Sequence, residues 1–190
     1  MVRRSLEGWL LLMLLAAEVA WAAGPAVNRV KDFAERVTTI NKIALLPIEP
    51  CPVALDCPEA ERRLYVEVRA AWQVPVVPAS IIRQKLFDRG ITAADAELKA
   101  TLVQELGVNA FLIPTIPYMG SKEEGATYFT PAGDAPEARV ELALFPVESE
   151  LPLFRGTNQG QATTLNQPET LTTRLFKAIL AKAFPRSERK

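Results

Sequence analysis

The sequence contains no histidine among its 190 residues. Histidine is the usual proton carrier near neutral pH and a common metal ligand, so its absence argues against Ser-His-Asp triads and most zinc sites. Lysine and arginine together number 22, and aspartate and glutamate also number 22. A neutral chain lacks the excess positive charge with which proteins bind nucleic acid. The sequence therefore predicts no nucleic-acid partner, no metal and no cofactor.

A long apolar run that could remain as a membrane anchor is also missing. Residues 1–22 have two arginines at positions 3 and 4, continue with a short apolar stretch over 9–17 and end in the small-x-small site 20–22. This order is typical of a cleavable signal peptide, and the stretch is too short to span a bilayer. We therefore expect a soluble periplasmic protein with no integral membrane segment after cleavage. A peripheral association with the outer membrane is the alternative location.

Cysteine is scarce, and both copies lie close together after the leader. Cys51 and Cys57 are six positions apart in a proline-rich segment. In an oxidising compartment we expect them to form a disulfide, which on the chain-entropy model contributes about 2 kcal/mol. A zinc site would need carboxylates as its remaining ligands, and a redox pair is more often Cys-x-x-Cys. Ala23 occupies the position where a lipid-bearing cysteine would follow the leader, so no lipid anchor is expected.

Hydrophobic periodicity predicts an α/β fold: a single compact domain with a mixed sheet of about five strands and helices packed on it, preceded by the signal peptide. The predicted divisions are an amino-terminal helix (23–40), the α/β domain (41–185) and a charged tail (186–190). The glycines at Gly156 and Gly160 are typical of turns. Strands are predicted over 42–48, 74–78, 108–116, 138–145, 151–155 and 161–165, and helices over 26–39, 58–72, 80–90, 92–107 and 168–185.

Motifs that carry chemistry are few. No serine lies in a Gly-x-Ser-x-Gly elbow, and residues 120–125 lack the residue order of a phosphate-binding P-loop. Acidic pairs could serve acid–base or metal chemistry, although adjacent carboxylates in polar segments are usually solvated charge. These observations favour a protein that is not an enzyme, and a small carboxylate-based hydrolase or ligand-binding protein is the alternative. The acidic pairs are Glu123/Glu124 and Glu148/Glu150.

Residues 117–136 are interpreted as a long exposed loop, because they are polar and contain three glycines. The segment nevertheless carries Tyr118, Met119, Tyr128 and Phe129. Exposed aromatic side chains give a contact surface large area at low entropic cost, so these four residues are the candidates for contact with a partner. The alternative is that they fold back over the edge of the sheet.

Four segments together resemble one group of exported bacterial proteins. They are residues 42–48, 76–86, 105–113 and 140–147. Their pattern is similar to that of the curli-secretion lipoproteins, the lipoprotein activators of penicillin-binding proteins and the amino-terminal domain of the Tol-system propeller protein. The resemblance covers residues 40–184.

The resemblance implies an α/β fold and a non-enzymatic role, since members of the group assemble pores or contact envelope partners. This sequence has Asn109 where the pattern favours aspartate and Pro114 where glycine is common. It also lacks the lipid-bearing cysteine and the alternating apolar hairpins of a membrane pore. We therefore expect an accessory protein that binds an envelope or outer-membrane-associated protein partner. Self-association through edge strands is a third hypothesis, and the sequence does not predict the oligomeric state.

Overall fold

The computed structural model of the chain describes residues 24–89, 96–124, 133–163 and 165–185. The predicted signal peptide and charged tail lie outside the described residues. Within them, the elements in chain order are β1 (Ala26–Arg29), α1 (Phe33–Thr38), β2 (Ile43–Leu45), α2 (Cys57–Ala71), β3 (Val76–Val77), α3 (Ala79–Arg89), α4 (Ala96–Leu106), β4 (Ala110–Glu124), β5 (Gly133–Pro146), β6 (Phe154–Gln161) and α5 (Pro168–Ala183).

The strands of the described chain form one sheet in the order β1-β6-β5-β4-β2-β3. Strand β2 is parallel to both β3 and β4, whereas β4, β5, β6 and β1 pair antiparallel in turn. The parallel neighbours are connected through helices, as crossover connections require, and β5 follows β4 antiparallel as in a hairpin. This confirms the predicted α/β fold with a single mixed sheet. The sheet has six strands: β1 was not predicted as a strand, and β6 replaces two short strands predicted over 151–155 and 161–165.

The helix predicted over residues 26–39 is wrong in its first part. Residues 26–29 form β1, which pairs with β6, and helix α1 occupies only Phe33–Thr38. Val27 and Val30 have the spacing of a helix face, but so short a segment fits either structure. Its conformation is decided by backbone hydrogen bonds to a strand near the other end of the chain, which no local pattern reveals.

The interpretation of Gly156 and Gly160 as turn residues is also wrong. Both lie inside β6, which replaces the two short strands predicted there. A Cβ atom at Gly156 would collide with Cγ2 of Ile179 in α5, and one at Gly160 would lie 3.1 Å from Cδ2 of Leu175. Because glycine has no side chain, α5 can pack close to β6 at these two positions. Close approach of another part of the chain is a common reason for glycine inside a strand.

One face of the sheet is covered by helices α1, α2 and α5. Successive side chains of a strand point to opposite faces, and β5 places Val140, Leu142 and Leu144 on this one. Phe154 of β6 and Phe176 of α5 belong to the same buried cluster, and each is 1% exposed. This cluster is the larger of two hydrophobic cores.

The opposite face is covered over β2, β3 and the first part of β4, where α3 and α4 pack. A second buried cluster joins Ala44 and Phe111 from the strands to Ile82 of α3 and Leu102 of α4. Along β5 and β6 the side chains that alternate with the larger core are mostly polar. They include Glu137, Arg139, Glu141, Arg155, Thr157 and Gln159, all exposed or half-buried.

Asn109 connects the starts of β2 and β4. Its Oδ1 accepts the backbone N–H groups of Asn41 (3.1 Å) and Lys42 (3.2 Å), and its Nδ2 donates to the carbonyl of Thr39 (2.9 Å). A carboxylate could accept the first two hydrogen bonds but could not donate the third. The structure thus gives a physical reason for asparagine where the family pattern favours aspartate.

The two ends of the described chain lie together at one edge of the sheet. Lys182 Nζ near the end of α5 donates to the carbonyl of Pro25 at 2.6 Å, just before edge strand β1. Arg29 Nη1 donates to the carbonyl of Ala183 at 3.5 Å. The other edge of the sheet is β3.

Candidate functional site

Helix α2 begins at a loop that is fixed on two sides. Cys51 and Cys57 form a disulfide in the structure, with an S–S distance of 2.03 Å. The side chain of Asp56 caps the helix by accepting the N–H of Glu59 at 3.1 Å, and its backbone N–H donates to Glu169 Oε1 at the start of α5 (2.9 Å). The first turn of α2 is therefore held both to the loop before it and to α5.

Glu61 lies within the apolar stripe of α2. It is 4% exposed, although glutamate is rarely so buried without a partner. Its Oε1 accepts the backbone N–H of Ile48 at 2.8 Å and forms an ion pair with Arg83 of α3. The carboxylate thus connects the segment after β2 to both helices. The buried residues of α2 are Cys57, Ala60, Glu61, Leu64, Val68 and Ala71.

Burial is the largest influence on Glu61, and it raises the pKa of the carboxyl above its usual 4.5. The hydrogen bond from Ile48 and the charge of Arg83 oppose this effect without reversing it. The carboxyl therefore binds its proton more tightly in the folded protein than in a solvated chain.

Glu59, two residues earlier in the helix, behaves in the opposite way. Arg62 donates two hydrogen bonds to it (2.6 and 2.8 Å), and Arg63 Nε donates a third (2.6 Å). These two guanidiniums, Arg62 foremost, lower the pKa of Glu59 from 4.5 to about 2. The carboxylate is solvated, and it takes up much of the hydrogen-bonding capacity of Arg62.

A groove lies between α2 and α3, beyond edge strand β3. Because α2 packs on one face of the sheet and α3 on the other, the two helices meet around this edge. The groove has a volume of about 660 Å³, within the range of ligand pockets in proteins. Its lining is mostly apolar, and Glu61 and Arg83 lie in its wall. Phe87 of α3 also lines it and is 87% exposed.

A second recess adjoins the groove at Tyr65, which lines both. It measures about 560 Å³ and lies where α2 ends and β3 begins, with Trp72 and Arg69 among its walls. The guanidinium of Arg69 stands 5.7 Å from the centre of the Tyr65 ring. This recess is more polar and more open than the groove, so the groove is the better-formed binding site.

The polar groups that line the groove include the carboxyl of Glu61, the guanidiniums of Arg62 and Arg83, the hydroxyl of Ser80 and the amide of Gln84. Among the described residues, no three of Cys, Asp or Glu come together in a way that could hold a metal ion. Glu148 and Glu150, considered above as a carboxylate pair, are both exposed in the segment after β5.

The segment predicted as a long loop over 117–136 is a hairpin wherever the structure describes it. Strands β4 and β5 pair from Ala110 opposite Pro146 to Glu124 opposite Gly133, with an irregularity between Thr115 and Tyr118. Strand β2 pairs with β4 only as far as Leu112, so the rest of this edge of β4 has no strand beside it among the described residues. The prediction of a loop failed because a hairpin between polar strands lacks the apolar alternation that identifies strands.

The hairpin places Tyr118 and Met119, the two predicted contact residues that the structure describes, on opposite faces of β4. Tyr118 is 49% exposed and lies opposite Arg139, which is also exposed. Met119 is half-buried and packs against the larger core, as the alternation of a strand requires. Tyr128 and Phe129 lie outside the described residues. Of Tyr118 and Met119, only Tyr118 has a side chain that is exposed to solvent.

The Tyr118 ring lies along its own strand. A Cβ atom placed on Gly120 would come within 2.5 Å of the Tyr118 hydroxyl, so the glycine leaves room for the ring. The ring therefore lies over Gly120 while the residue remains half exposed.

Sequence reasoning did not find Glu61, Arg83 or Phe87. As charges near the start of a helix, Glu59 and Glu61 are alike in sequence. The sequence could indicate that Glu61 is buried only through its position, because it is adjacent to Ala60 and three residues before Leu64 in the apolar stripe of α2. Nothing local predicts that Arg83 is the partner, because α3 approaches α2 only in the folded chain.

Comparison with solved structures identifies similar folds in bacteria. PelC from Paraburkholderia phytofirmans, described as a dodecamer, matches with a TM-score of 0.53 and 13% identity over 85% of this chain and 97% of that chain. The lipoprotein GNA1162 from Neisseria meningitidis matches with a TM-score of 0.54 and 17% identity over 74% of this chain and 96% of that chain. The LpoB C-terminal domain from Salmonella enterica matches with a TM-score of 0.39 and 9% identity over 72% of this chain and 96% of that domain. A TM-score this low is not evidence of a shared fold.

No protein-family model and no curated protein matches the sequence. At these identities, the likeness to solved structures shows the fold alone. A lipoprotein among the neighbours confirms, at the level of the fold, the resemblance to the lipoprotein group identified from the sequence. None of the described helices has the length and apolar character needed to cross a membrane.

Proposed function

We propose that this protein is a non-catalytic, exported accessory protein that contacts a protein partner of the cell envelope through the β4–β5 hairpin. The observation that carries the proposal is the exposed Tyr118, set beside the exposed Arg139 on the hairpin. Beyond Leu112, the outer edge of this hairpin has no strand beside it in the part of the chain that the structure describes. Tyrosine and arginine are enriched where interfaces derive most of their binding energy.

The edge of the hairpin supports the same proposal. Unpaired backbone groups of an edge strand can bind an extended segment of another protein. Pro114 and Pro117 remove two N–H donors from this part of β4, which discourages unlimited strand-to-strand association. A partner that uses the ring of Tyr118 as well as the backbone is favoured over simple aggregation.

The location and the class of partner rest on the predicted signal peptide and on the fold shared with the lipoprotein GNA1162. Self-assembly is a second candidate, because the similar PelC structure is described as a dodecamer. Analytical ultracentrifugation of the purified protein separates the two. A single monomeric species at micromolar concentration counts against self-assembly, and a defined oligomer counts against the partner proposal.

Photo-crosslinking in the producing bacterium tests the hairpin contact. A photoreactive amino acid at position 118 should yield a discrete adduct with one envelope protein. The matched control is position 151, where Leu151 is 73% exposed after the opposite end of the hairpin. Tyr118→Ala should weaken co-purification of that partner at least about tenfold, as expected when an interface aromatic is lost. Equal adducts from both positions, or none from position 118, would contradict the proposal.

A further inference from the structure

The groove between α2 and α3 shares no lining residue with the hairpin proposed above and presents a different chemistry. We propose that it binds a peptide segment in which an acidic side chain lies beside an apolar or aromatic one. This inference does not depend on the hairpin contact.

The apolar part of the groove has the features of a binding surface. Phe87 is 87% exposed, although a phenylalanine normally buries its ring. Tyr65, Pro58 and Pro78 also line the groove, so the ring of Phe87 belongs to one apolar wall. Ile82 and Leu86 of the same helix are buried in the smaller core. Phe87 is therefore not needed to attach α3 to the sheet.

The charged part of the groove favours an anion. Among the described residues, its lining contains Arg62 and Arg83 but only one acidic residue, Glu61. Arg62 is already bound to Glu59, whereas Arg83 makes its ion pair with one oxygen of Glu61 while its side chain remains 44% exposed. A guanidinium has five N–H donors in a rigid plane, so Arg83 can bind a second carboxylate while Glu61 holds it in place.

The shape of the groove favours a peptide over a small acid. Along α3, the groove is lined by Ser80, Arg83, Gln84 and Phe87, which share one face of the helix at spacings of three and four. The seven residue steps from Ser80 to Phe87 extend about 10 Å along the helix. That length corresponds to roughly three residues of extended chain, with Ser80 and Gln84 available to hydrogen-bond its backbone. An acidic side chain at Arg83 would then place its neighbour against Phe87.

Binding of two blocked tetrapeptides to the purified protein tests the proposal. The probes are acetyl-Ala-Phe-Glu-Ala-amide and acetyl-Ala-Phe-Gln-Ala-amide, which differ only in charge. Titrations followed by NMR should show that the Glu peptide binds at least about tenfold more tightly, as expected for a hydrogen-bonded charge pair. The shifted signals should include those of Ser80 and Phe87. Equal affinity for the two peptides, or no binding of either, would overturn the proposal.

Two variants of α3 locate the binding site. Phe87→Ser should weaken binding of the Glu peptide about tenfold or more. Ile81→Ser is the matched control, because Ile81 is 42% exposed on the same helix and does not line the groove. Equal losses in the two variants would contradict the assignment. If Phe87→Ser instead abolished an association between copies of the chain, the occupant would be a second copy and the proposal would be wrong.

Arg83 is tested without leaving a buried carboxylate unpaired. The double variant Glu61→Gln/Arg83→Gln removes both charges and should bind the two peptides with equal affinity. If circular dichroism shows that it does not fold, Arg83→Lys keeps the charge and removes the planar donor array, and the preference for the Glu peptide should fall severalfold. A full preference in either folded variant would contradict the role of Arg83. Tyr118→Ala should leave peptide binding unchanged, which separates this test from that of the hairpin.

Discussion

The two faces of the sheet differ in how completely helices cover them. One face packs against α1, α2 and α5 from β2 to β6, and its side chains are almost entirely buried. The other is covered by α3 and α4 around β2, β3 and the start of β4, and along β5 and β6 it carries charged and amide side chains. Arg155 and Glu141 form an ion pair there at 3.0 Å. The contrast shows that alternate residues of one strand can contribute to a buried core and to a solvent-exposed surface.

Phe154 and Arg155 give the strongest test of this contrast, because they are consecutive residues of β6 on opposite faces. Phe154→Ala should lower the free energy of unfolding by about 3–5 kcal/mol, since the ring is buried among other aromatic residues. Arg155→Ala removes an exposed ion pair and should cost less than about 1 kcal/mol. Urea unfolding of both variants measures the difference. Similar losses of unfolding free energy in the two variants would show that the face carrying Arg155 is covered in solution.

Gly156 and Gly160 test how closely α5 packs on the covered face. Gly156→Ala forces Ile179 to move and should cost about 1–3 kcal/mol through overpacking. Gly160→Ala meets the end of the Leu175 side chain at 3.1 Å, which can shift by a few tenths of an ångström, so its cost should be smaller. Thermal unfolding of the two variants provides the ranking. The reverse order would mean that the helix lies differently on β6.

Helix α2 repeats the contrast on a smaller scale, with Glu59 in solvent and Glu61 buried. The folded protein lowers the pKa of Glu59 to about 2, so this residue contributes stability above pH 4.5 that is lost as the pH falls from 4.5 towards 2. Burial raises the pKa of Glu61, so ionising it costs stability as the pH rises through and above 4.5.

Unfolding experiments between pH 2.5 and 7 on Glu59→Gln and Glu61→Gln should therefore show opposite trends. Relative to the parent protein, Glu59→Gln should gain stability as the pH is lowered, whereas Glu61→Gln should gain stability as the pH is raised. Both effects should be small beside those of the core substitutions. Trends of the same sign would show that the two carboxyls share one environment.

The elements that the sequence predicts well are those with a strong local signal. Helix α2 has its capping residue and Pro58 at the start, and α5 begins at Pro168 and ends just before Pro185, so both helices match their predicted spans closely. Gly107 follows α4 with φ of 61°, a conformation that glycine adopts readily at a helix end. Capping and proline chemistry operate within a few residues, which is why they can be read from sequence.

The features missed depend on contacts between distant parts of the chain. Strand β1 exists because β6 lies beside it, and the glycines of β6 are required by α5. The groove is a further case, since Arg83 meets Glu61 only when two helices on opposite faces approach each other around an edge strand. Tyr118 was identified as a contact candidate from its residue type. The hairpin that places it and Met119 on opposite faces could not be predicted, because polar strands lack the apolar alternation by which strand pairing is recognised in a sequence.

The position of the two ends of the described chain has a practical consequence for where a label can be attached. Both ends of the described chain lie beside β1, whereas the groove lies beyond β3 at the opposite edge of the sheet. Five strand spacings of about 4.8 Å separate these edges, a distance of roughly 24 Å. A label attached to residue 25 or residue 183 would therefore lie well away from the groove. Such a label should report on a bound peptide without obstructing it.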